Sequence, residues 1–240
     1  MAENSLMTII PEVCILKKFN ITGFRGFTLA EVLITLVIIG VIAAMTIPTL
    51  INKTNNQEYV TRLKKAYSTF SQATNRIIAD EGNPRADIGG WATSTEVVFN
   101  MYKKYIAKSQ ECQAGNACFT ASYSHLNTST PGTAPGMAGS NKYALILSDG
   151  SVATMFTDSD NFSSACSIQN FYLTNDVCQV IRVDVNGPMK GPNTIGRDTF
   201  AFALLENGLV PVGCAYSSSN CGNYGWGCTC KVLREGAINY

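Results

Sequence analysis

The sequence predicts an α+β protein in which a long N-terminal helix packs on a small, disulfide-rich antiparallel β-sheet head. Three observations carry this prediction. An apolar run from Phe27 to Leu50 continues as an amphipathic helical pattern as far as Asp80. Alternating, strand-like segments separated by Asp-Gly and Asn-Gly turns follow residue 140. Of the nine cysteines, all but Cys14 lie after residue 110, which indicates disulfides in the second half.

The bulk composition excludes several classes of function. The 240-residue chain has a net charge of +1, so no basic field indicates nucleic acid as a partner. Charged residues make up 15%, below the roughly 25% that is usual in soluble domains, and this favours a membrane segment or an uncharged polar surface. His125 is the single histidine, and phosphate-loop, dinucleotide and nucleophile-elbow motifs are absent. We therefore expect no enzyme and no catalytic residue.

The apolar run predicts a transmembrane helix over residues 27–50. It reads FTLAEVLITLVIIGVIAAMTIPTL, with Glu31 as its one ionisable residue. About 24 helical residues rise roughly 36 Å, enough to cross a hydrocarbon core of about 30 Å. Basic residues flank both ends, so charge does not set the orientation. Disulfides persist in oxidising compartments, which places the C-terminal half outside the cytoplasm; scattered reduced cysteines are the alternative.

The helix is expected to span 27–82, because no proline interrupts the pattern after Pro48 until Gly82-Asn83-Pro84 ends it. Its second half is amphipathic and should pack on the head. A coiled coil is the alternative, but the stripe covers too few heptads to favour it. The stripe consists of Tyr59, Val60, Leu63, Ala66, Tyr67, Phe70, Ala73, Ile77 and Ile78.

The head, residues 83–240, should contain a second helix and at least four antiparallel strands. A capping box of Thr93 and Glu96 predicts a helix over Ser94–Lys108. Alternation in the segment Gln179–Val185 predicts a strand with one apolar face, formed by Ile181, Val183 and Val185. The other strands are predicted on either side of two turns, as Lys142–Ser148, Ser151–Phe156, Thr199–Leu205 and Leu209–Val212.

The cysteines of the head suggest local disulfides. Eight cysteines allow 105 connectivities, so the sequence leaves the pairing open. Cys228 and Cys230 are too close for an unstrained mutual bridge, so different partners are expected for them, with Cys214 and Cys221 as candidates. Zinc is the alternative for these four, but their spacing fits no strong finger pattern. The remaining candidate pairs are Cys112 with Cys118 and Cys166 with Cys178.

The hexapeptide from Gly26 to Glu31, Gly-Phe-Thr-Leu-Ala-Glu, resembles the type III signal of type IV prepilins and type II secretion pseudopilins. The resemblance covers the leader and the first half of the long helix. It implies that residues 1–26 are a leader peptide, which a membrane aspartyl peptidase removes by cutting between Gly26 and Phe27. It also implies N-methylation of Phe27. A pilin-like architecture, a long helix on a β-sheet head, agrees with the pattern of elements above.

The same resemblance implies roles for three residues within the apolar helix. Glu31 would pair with the new amine of Phe27, usually that of a neighbouring subunit during assembly. The alternative is a carboxylate that snorkels to the interface of a plain anchor. Gly40 and Pro48 bound a stretch in which pilin-like filaments often unwind, whereas a plain kinked anchor is the alternative.

A candidate calcium site lies in the segment DVNGPMKGPNTIGRD. Its oxygen donors would be Asp184, Asn186, Asn193 and Asp198, with turn carbonyls. Major pseudopilins carry calcium in a head loop, which supports the idea. The spacing differs from an EF-hand, because Pro188 falls where a third ligand belongs, and ordinary turns are the alternative. No other cofactor is expected.

The resemblance therefore implies a structural subunit of a type IV pilus or of a type II secretion-like pseudopilus. The alternative is a minor tip pilin that acts as an adhesin or as a DNA-uptake binding module. The expected partners are the membrane, identical or related subunits, the prepilin peptidase and the assembly machinery. The expected location is the inner (cytoplasmic) membrane, crossed once with the C-terminal head outside the cytoplasm, and an extracytoplasmic filament after assembly.

Overall fold

The structure, a computed structural model, describes residues 26–113, 121–127, 137, 142–156, 163–167, 176–214, 221 and 224–240. Apart from Gly26, the predicted leader lies outside the described residues. The chain divides into two compact units, one ending at Pro48 and the other running from Thr49 to Tyr240.

Helix α1 spans Leu29–Glu81, close to the predicted bounds. It contains Pro48 without a break in the helix, so the proline does not end the helix despite its missing N–H. Two hydroxyls of the apolar part donate back to helix carbonyls, Thr35 to Val32 and Thr46 to Ile42, both at 3.0 Å. These bonds satisfy polar groups that would otherwise face an apolar environment.

The second half of α1 packs its apolar stripe into the core, as the sequence predicts. Leu63, Phe70 and Ile77 are fully buried, and their seven-residue spacing keeps them on one face. Thr74 shares that face, and its hydroxyl bonds to the Phe70 carbonyl at 2.7 Å and to the Tyr102 hydroxyl at 2.6 Å. The buried positions of α1 are Tyr59, Val60, Leu63, Ala66, Phe70, Ala73, Thr74 and Ile77.

The head is built on one six-stranded antiparallel sheet whose order follows the sequence, β1-β2-β3-β4-β5-β6. The predicted α+β class, a long helix with a disulfide-bonded antiparallel head, is therefore confirmed. Each strand pairs with the next along the chain through a hairpin or a longer connection. The strands are β1 Lys108–Cys112, β2 Lys142–Leu147, β3 Val152–Phe156, β4 Val177–Asp184, β5 Thr199–Leu205 and β6 Gly208–Pro211.

Helix α2 spans Thr95–Tyr105, and its N-cap differs from the predicted one. The Ser94 side chain accepts the Val97 N–H at 3.2 Å, so Ser94 caps the helix instead of Thr93. Either hydroxyl suits an N-cap, and the sequence alone did not separate the two neighbours.

The predicted extension of α2 to Lys108 is wrong. The helix ends before Ile106, which has extended backbone and a buried side chain. Lys108 begins β1 and pairs with Leu147 of β2. Burial of Ile106 and pairing with the sheet edge override the local helical preference.

The described part of the head also contains two short helices, a 3₁₀ helix at Ala86–Ile88 and α3 at Cys228–Glu235. Neither is predicted by the sequence pattern. Helix α3 supplies Thr229, whose hydroxyl accepts the Ala201 N–H of β5 at 3.0 Å. This bond fixes α3 against the sheet.

Strand β4 is buried on both faces, whereas the sequence predicts one apolar face. Ile181 and Val183 face the core that α1 helps to form, together with Val185 just after the strand. The opposite face contributes Val180 to a second apolar cluster that contains Trp226. Coverage of both faces makes β4 the centre of the head.

The described part of the head contains disulfides Cys166–Cys178, Cys214–Cys230 and Cys221–Cys228. Cys228 and Cys230 thus have different partners. Cys112 is also disulfide-bonded, and Cys118, the partner proposed for it, lies outside the described residues.

Candidate functional site

Two places in the protein combine unusual exposure or burial with polar chemistry. The first is the start of α1. Gly26, Phe27 and Thr28 precede the helix, and the Phe27 side chain is 86% exposed. A Cβ at Gly26 would meet no atom of the described residues within 4 Å, so packing within the described part of the chain does not require the glycine. Gly26 and Phe27 are both exposed there.

Thr28 and Glu31 cap the first turn of α1 reciprocally. Oε2 of Glu31 accepts the Thr28 N–H at 2.8 Å and the Thr28 hydroxyl at 2.9 Å. The Glu31 N–H donates to the Thr28 hydroxyl oxygen at 3.2 Å. This is a capping box, which satisfies backbone donors that a helix start leaves unpaired. It also holds the Glu31 carboxylate beside Thr28, the residue that follows Phe27.

The first part of α1 exposes a continuous apolar surface. Its most apolar 18-residue window has a mean hydropathy of 2.5, and none of that window is buried within the protein. Exposed apolar surface of this extent marks contact with a membrane or with other proteins. Gly40 lies within it, and a Cβ there would meet nothing within 4 Å. By length and composition, α1 is able to cross a membrane.

The second place is the connection between β4 and β5, here called the carboxylate loop, residues 184–198. Asp184 and Asp198 stand at its two ends, and both side chains are fully buried. The Val185 N–H donates to the Asp198 carbonyl at 2.9 Å, which joins the ends of the loop. Because the strands are antiparallel neighbours, two acidic residues distant in sequence become neighbours in space.

Both carboxylates accept hydrogen bonds from their surroundings. Oδ1 of Asp184 accepts the N–H groups of Asn186 and Gly187, at 3.1 and 2.8 Å. Its Oδ2 accepts the Tyr123 hydroxyl at 2.8 Å.

Asp198 fastens the far end of the loop in the same way. Its Oδ2 accepts the Asn193 N–H at 2.7 Å, and its Oδ1 accepts the Thr194 N–H at 2.6 Å. The Thr199 hydroxyl makes a longer bond to Oδ1, at 3.4 Å. Backbone donors around a carboxylate stabilise its ionised form.

Two amide side chains of the loop have one satisfied end and one unsatisfied end. The Asn186 amide nitrogen donates to the Lys190 and Gly191 carbonyls at 2.8 and 3.1 Å. The Asn193 amide nitrogen donates to the Pro188 carbonyl at 3.0 Å. The Oδ1 atoms of both asparagines are buried and have no hydrogen-bond partner among the residues that the structure describes. Such unpaired buried acceptors are rare in proteins.

The electrostatics of the loop reflect two buried carboxylates close together. Burial and the charge of Asp198 raise the pKa of Asp184 to about 7, against the hydrogen bonds from Tyr123, Gly187 and Asn186. Burial likewise raises the pKa of Asp198. Burial, with the charges of both aspartates, also raises the pKa of Tyr59 and Tyr123.

The four predicted oxygen donors, Asp184, Asn186, Asn193 and Asp198, all lie in the carboxylate loop, and Asp184, Asn186 and Asp198 are buried. Sequence reasoning missed Tyr123, and it assigned Tyr59 only to the helix stripe. The Tyr59 hydroxyl donates to the Gly191 carbonyl of the loop at 3.3 Å. No local pattern links either tyrosine to a loop so distant in sequence.

Cysteine, histidine and acidic groups offer no competing metal site in the described part of the chain, where no three of them converge. The four cysteines weighed for zinc, Cys214, Cys221, Cys228 and Cys230, form two disulfides and so present no thiolates. The carboxylate loop offers only oxygen donors, which suit hard cations.

Comparison with known families agrees with the division of the chain after Pro48. Residues 22–47 match the prokaryotic N-terminal methylation motif. The chain therefore carries a type IV pilin-like prepilin signal and is a precursor of the pilin or pseudopilin type. This signal and the apolar helix indicate membrane anchoring.

The remainder of the chain identifies its family. The chain belongs to a family of unknown function (DUF6613), whose model matches residues 49–238. Searches of curated proteins and of solved structures gave no significant match.

Proposed function

We propose that the protein is a structural subunit of a type IV pilus or of a type II secretion-like pseudopilus. The observation that carries the proposal is that the methylation motif leads directly into a helix whose apolar side chains are exposed. Cleavage between Gly26 and Phe27 would leave that helix at the N-terminus of the mature subunit. Lipid would cover it before assembly, and helices of neighbouring subunits would cover it in the filament.

Glu31 gives the assembly step its specificity. A carboxylate at mid-membrane costs about 2.5–3.5 kcal/mol on insertion scales, and less near an end of the helix. Cleavage creates an amine on Phe27, and methylation leaves that amine charged. Pairing of Glu31 with the amine of a neighbouring subunit would offset the cost in the filament. An ion pair in apolar surroundings would also fix the axial position of one subunit against the next.

The head would lie outside the cytoplasm, with α1 crossing the inner membrane once. The disulfides support this orientation, since such bonds persist in oxidising compartments. The prepilin peptidase and the assembly machinery would be partners on the membrane side, and related subunits would be partners in the filament.

Intact-mass spectrometry of the protein from its membranes tests the processing step. The expected product begins at Phe27 and carries one methyl group, whereas cells without the prepilin peptidase should retain the leader. A Gly26→Leu variant should remain uncut although its head folds, because a Cβ at residue 26 would meet nothing within 4 Å in the described part of the protein. An intact leader in cells with active peptidase would contradict the proposal.

Sheared filament fractions test the structural role. Quantitative detection along the filament is expected if the protein is a repeating subunit. Detection at low copy number, with antibody labelling confined to filament ends, would instead identify a minor tip pilin with an adhesive or DNA-uptake role.

A further inference from the structure

We propose that a groove between α1 and the segment 236–239 binds the headgroup of an anionic phospholipid, phosphatidylglycerol. In this site the lipid phosphate pairs with the Lys53 amine, and a glycerol hydroxyl bonds to the Asn56 amide. Binding requires the chain to be in a membrane, but it requires neither leader cleavage nor filament assembly. Three features of the groove favour this ligand: its position beside the membrane-spanning run, its charge, and an unpaired buried acceptor.

The groove runs along one face of α1. Its helical wall consists of Lys53, Asn56, Gln57 and Val60. The last three follow Lys53 by three, four and seven residues, a spacing that keeps side chains on one face of a helix. The facing wall is the segment 236–239, which follows α3. The groove has a volume of about 360 Å³, and small-molecule sites usually measure about 300–1,000 Å³, so a headgroup can be accommodated.

The facing wall is fixed at both ends. Gly236 ends α3 with left-handed backbone, at a φ of 67°, and its N–H donates to the Val232 carbonyl at 2.9 Å. Beyond the other end of the segment, the Tyr240 hydroxyl donates to the Gly196 carbonyl. The groove is therefore formed before a ligand binds, and such preorganisation lowers the entropic cost of binding.

The groove begins next to the membrane-spanning run. Lys53 lies three residues after Leu50, where the predicted run ends, in the same helix and the same compact unit. A rise of about 1.5 Å per residue places it about 4.5 Å beyond Leu50 along the helix axis. A hydrocarbon core of about 30 Å becomes about 40–45 Å with the headgroups, so each headgroup layer is about 5–7 Å thick. The Lys53 end of the groove is thus at the depth of the lipid phosphates.

The groove carries positive charge. Lys53 is the one charged side chain among the described residues that line it. It takes part in none of the ion pairs found in the described part of the chain, and the carboxylate of the nearby Glu58 is paired with Arg62 at 2.8 Å. Glu235 precedes the facing wall, but it is exposed and does not line the groove. An anionic ligand is therefore favoured, and a lysine amine is a usual partner for phosphate.

The unpaired acceptor belongs to Asn56. Its Oδ1 is buried and has no hydrogen-bond partner among the described residues, whereas nearly all buried polar atoms in proteins are paired. Because Asn56 also lines the groove, a ligand bound there lies beside this amide. The ligand should therefore carry a hydrogen-bond donor close to its phosphate.

Phosphatidylglycerol meets both requirements. Its phosphodiester carries a single negative charge, which complements Lys53, and its glycerol hydroxyls both donate and accept hydrogen bonds. Phosphatidylethanolamine has a donor but no net charge, and phosphatidic acid has the charge but no glycerol headgroup. Gln57 and Asn239 supply further amides in the groove, to which the second hydroxyl can bond.

A bound headgroup would contact α1 and the segment 236–239 at once. It would stabilise the contact between these two walls, and it would hold this end of the head at the membrane surface until the subunit is extracted. Lipid should therefore raise the melting temperature of the head as well as remain bound to the chain.

The test uses the full chain, freed of lipid in a neutral maltoside detergent. Phosphatidylglycerol, phosphatidylethanolamine, phosphatidic acid and phosphatidylcholine with identical acyl chains are added at equal concentration. Native mass spectrometry counts the lipids retained by each chain, and thermal unfolding with each lipid is the second readout. The variants are Lys53→Gln, which removes the cation, and Asn56→Leu, which replaces the amide by an apolar side chain of similar size. Arg76→Gln removes a cation from an exposed position of α1 outside the groove and serves as the control.

The wild type and Arg76→Gln should retain a single phosphatidylglycerol in preference to the other three lipids, and this lipid should raise their melting temperature. Lys53→Gln should bind it at least about fivefold more weakly, because a charge-assisted hydrogen bond is lost. Asn56→Leu should no longer distinguish phosphatidylglycerol from phosphatidic acid.

Equal retention of all four lipids by the wild type overturns the proposal. Equal loss in Lys53→Gln and Arg76→Gln does so as well, because it would show attraction by net charge alone. Unchanged discrimination by a folded Asn56→Leu also contradicts it, as does a dimer in place of a bound lipid, which would make the groove a contact between copies of the chain. Lys53 is exposed, so its variant decides the matter even if Asn56→Leu fails to fold.

Discussion

Oε2 of Glu31 accepts two hydrogen bonds from Thr28, one from its N–H at 2.8 Å and one from its hydroxyl at 2.9 Å. The carboxylate that the pilin resemblance assigns to subunit pairing is therefore already engaged within its own helix. Its partner lies one residue after Phe27, where cleavage would create the amine. The capping box orients Glu31 toward the N-terminus of its own subunit but uses only Oε2, so Oε1 is left to pair with the amine of a neighbour.

Replacing Glu31 by alanine should leave membrane insertion intact and reduce filament yield. Removal of a charge from the helix makes insertion more favourable, whereas the pairing with the Phe27 amine is lost. Hydrogen bonds to charged groups contribute about 1.5–3 kcal/mol, so we expect a loss of about tenfold or more in assembled subunits. The measurement is the ratio of sheared to membrane-bound protein. Thr35→Ala is the control, and assembly of Glu31→Ala at the wild-type level would disprove the pairing.

Replacing Thr28 by valine should fray the first turn of α1, although valine has a side chain of the same shape as threonine. The hydroxyl that donates to Glu31 and accepts its N–H is lost, and such caps contribute about 0.5–2 kcal/mol. Amide hydrogen exchange of Glu31 and Val32, whose N–H groups bond to Thr28, should become faster in micelles. Thr28→Ser retains the hydroxyl and should exchange at the wild-type rate. Equal protection in the valine variant would show that the cap does not stabilise the turn.

Replacing Phe70 by alanine should destabilise the head strongly. The side chain is fully buried and lies between Tyr102 and Phe202, with ring centroids at 5.8 and 6.3 Å. Large-to-small changes of this kind cost about 3–5 kcal/mol. Thermal unfolding of the full chain measures the loss, and Ser68→Ala on the exposed side of the same turn should change it little. A comparable loss in both variants would contradict the assigned face of α1.

The disulfide between Cys214 and Cys230 should contribute more stability than that between Cys221 and Cys228. The first closes a separation of 16 residues and the second one of 7. Chain-entropy arguments assign about 3 kcal/mol to a loop of about 15 residues and less to a shorter one. Paired serine variants, compared by denaturant unfolding, provide the measurement. The reverse order of stability would show that native-state packing outweighs loop closure here.

The contact between Lys65 and Asp149 predicts a specific acid sensitivity. Partial burial raises the pKa of Asp149, but hydrogen bonds from Lys65 and Ser151 outweigh it and hold the pKa at about 2. A folded-state pKa below the ordinary 3.8 contributes stability above about pH 4, and that stability is lost as the pH falls toward about 2. Lys65→Met should therefore lower the melting temperature near neutral pH and approach the wild type near pH 2. Lys64→Met changes an exposed neighbour, and its melting temperature should follow that of the wild type at every pH. If the melting temperatures of Lys65→Met and the wild type differ by the same amount at all pH values, the linkage is refuted.

The long helix and the central strands follow from the sequence because their signals are local and strong. The bounds of β5, Thr199–Leu205, agree with the predicted strand, and the Asp149-Gly150 turn lies between β2 and β3 as expected. Strand β1 escapes prediction because KSQEC is polar and buries only Cys112 fully. It exists through pairing with β2, which no local pattern reveals. Helix α3 is short and cysteine-rich, and its bond from Thr229 to β5 is equally non-local.

The candidate sites likewise contain features that the sequence predicts and features that only the structure reveals. Gly26, Phe27 and Glu31 lie within one hexapeptide, so the sequence predicts their roles together. The four donors of the carboxylate loop were also proposed from the sequence, because they lie within one segment. The unpaired amide oxygens and the involvement of Tyr59 and Tyr123 depend on tertiary packing, and only the structure reveals them.

The sequential order of the strands bears on how the head forms while the chain is being made. Every strand pairs with the one before it in the sequence, and the packing stripe of α1 precedes them all. In a chain that is synthesised from its N-terminus, the preceding strand is therefore already present when each new strand is made. No strand pairs with a partner that is synthesised much later. Local pairing of this kind favours fast folding and limits the time that strand edges stand open to aggregation. The exceptions among the described disulfides are Cys214–Cys230 and Cys221–Cys228, which close only when the last helix is present. Oxidation of these cysteines is therefore the last step in forming the head. The other elements pair in the order in which they are synthesised.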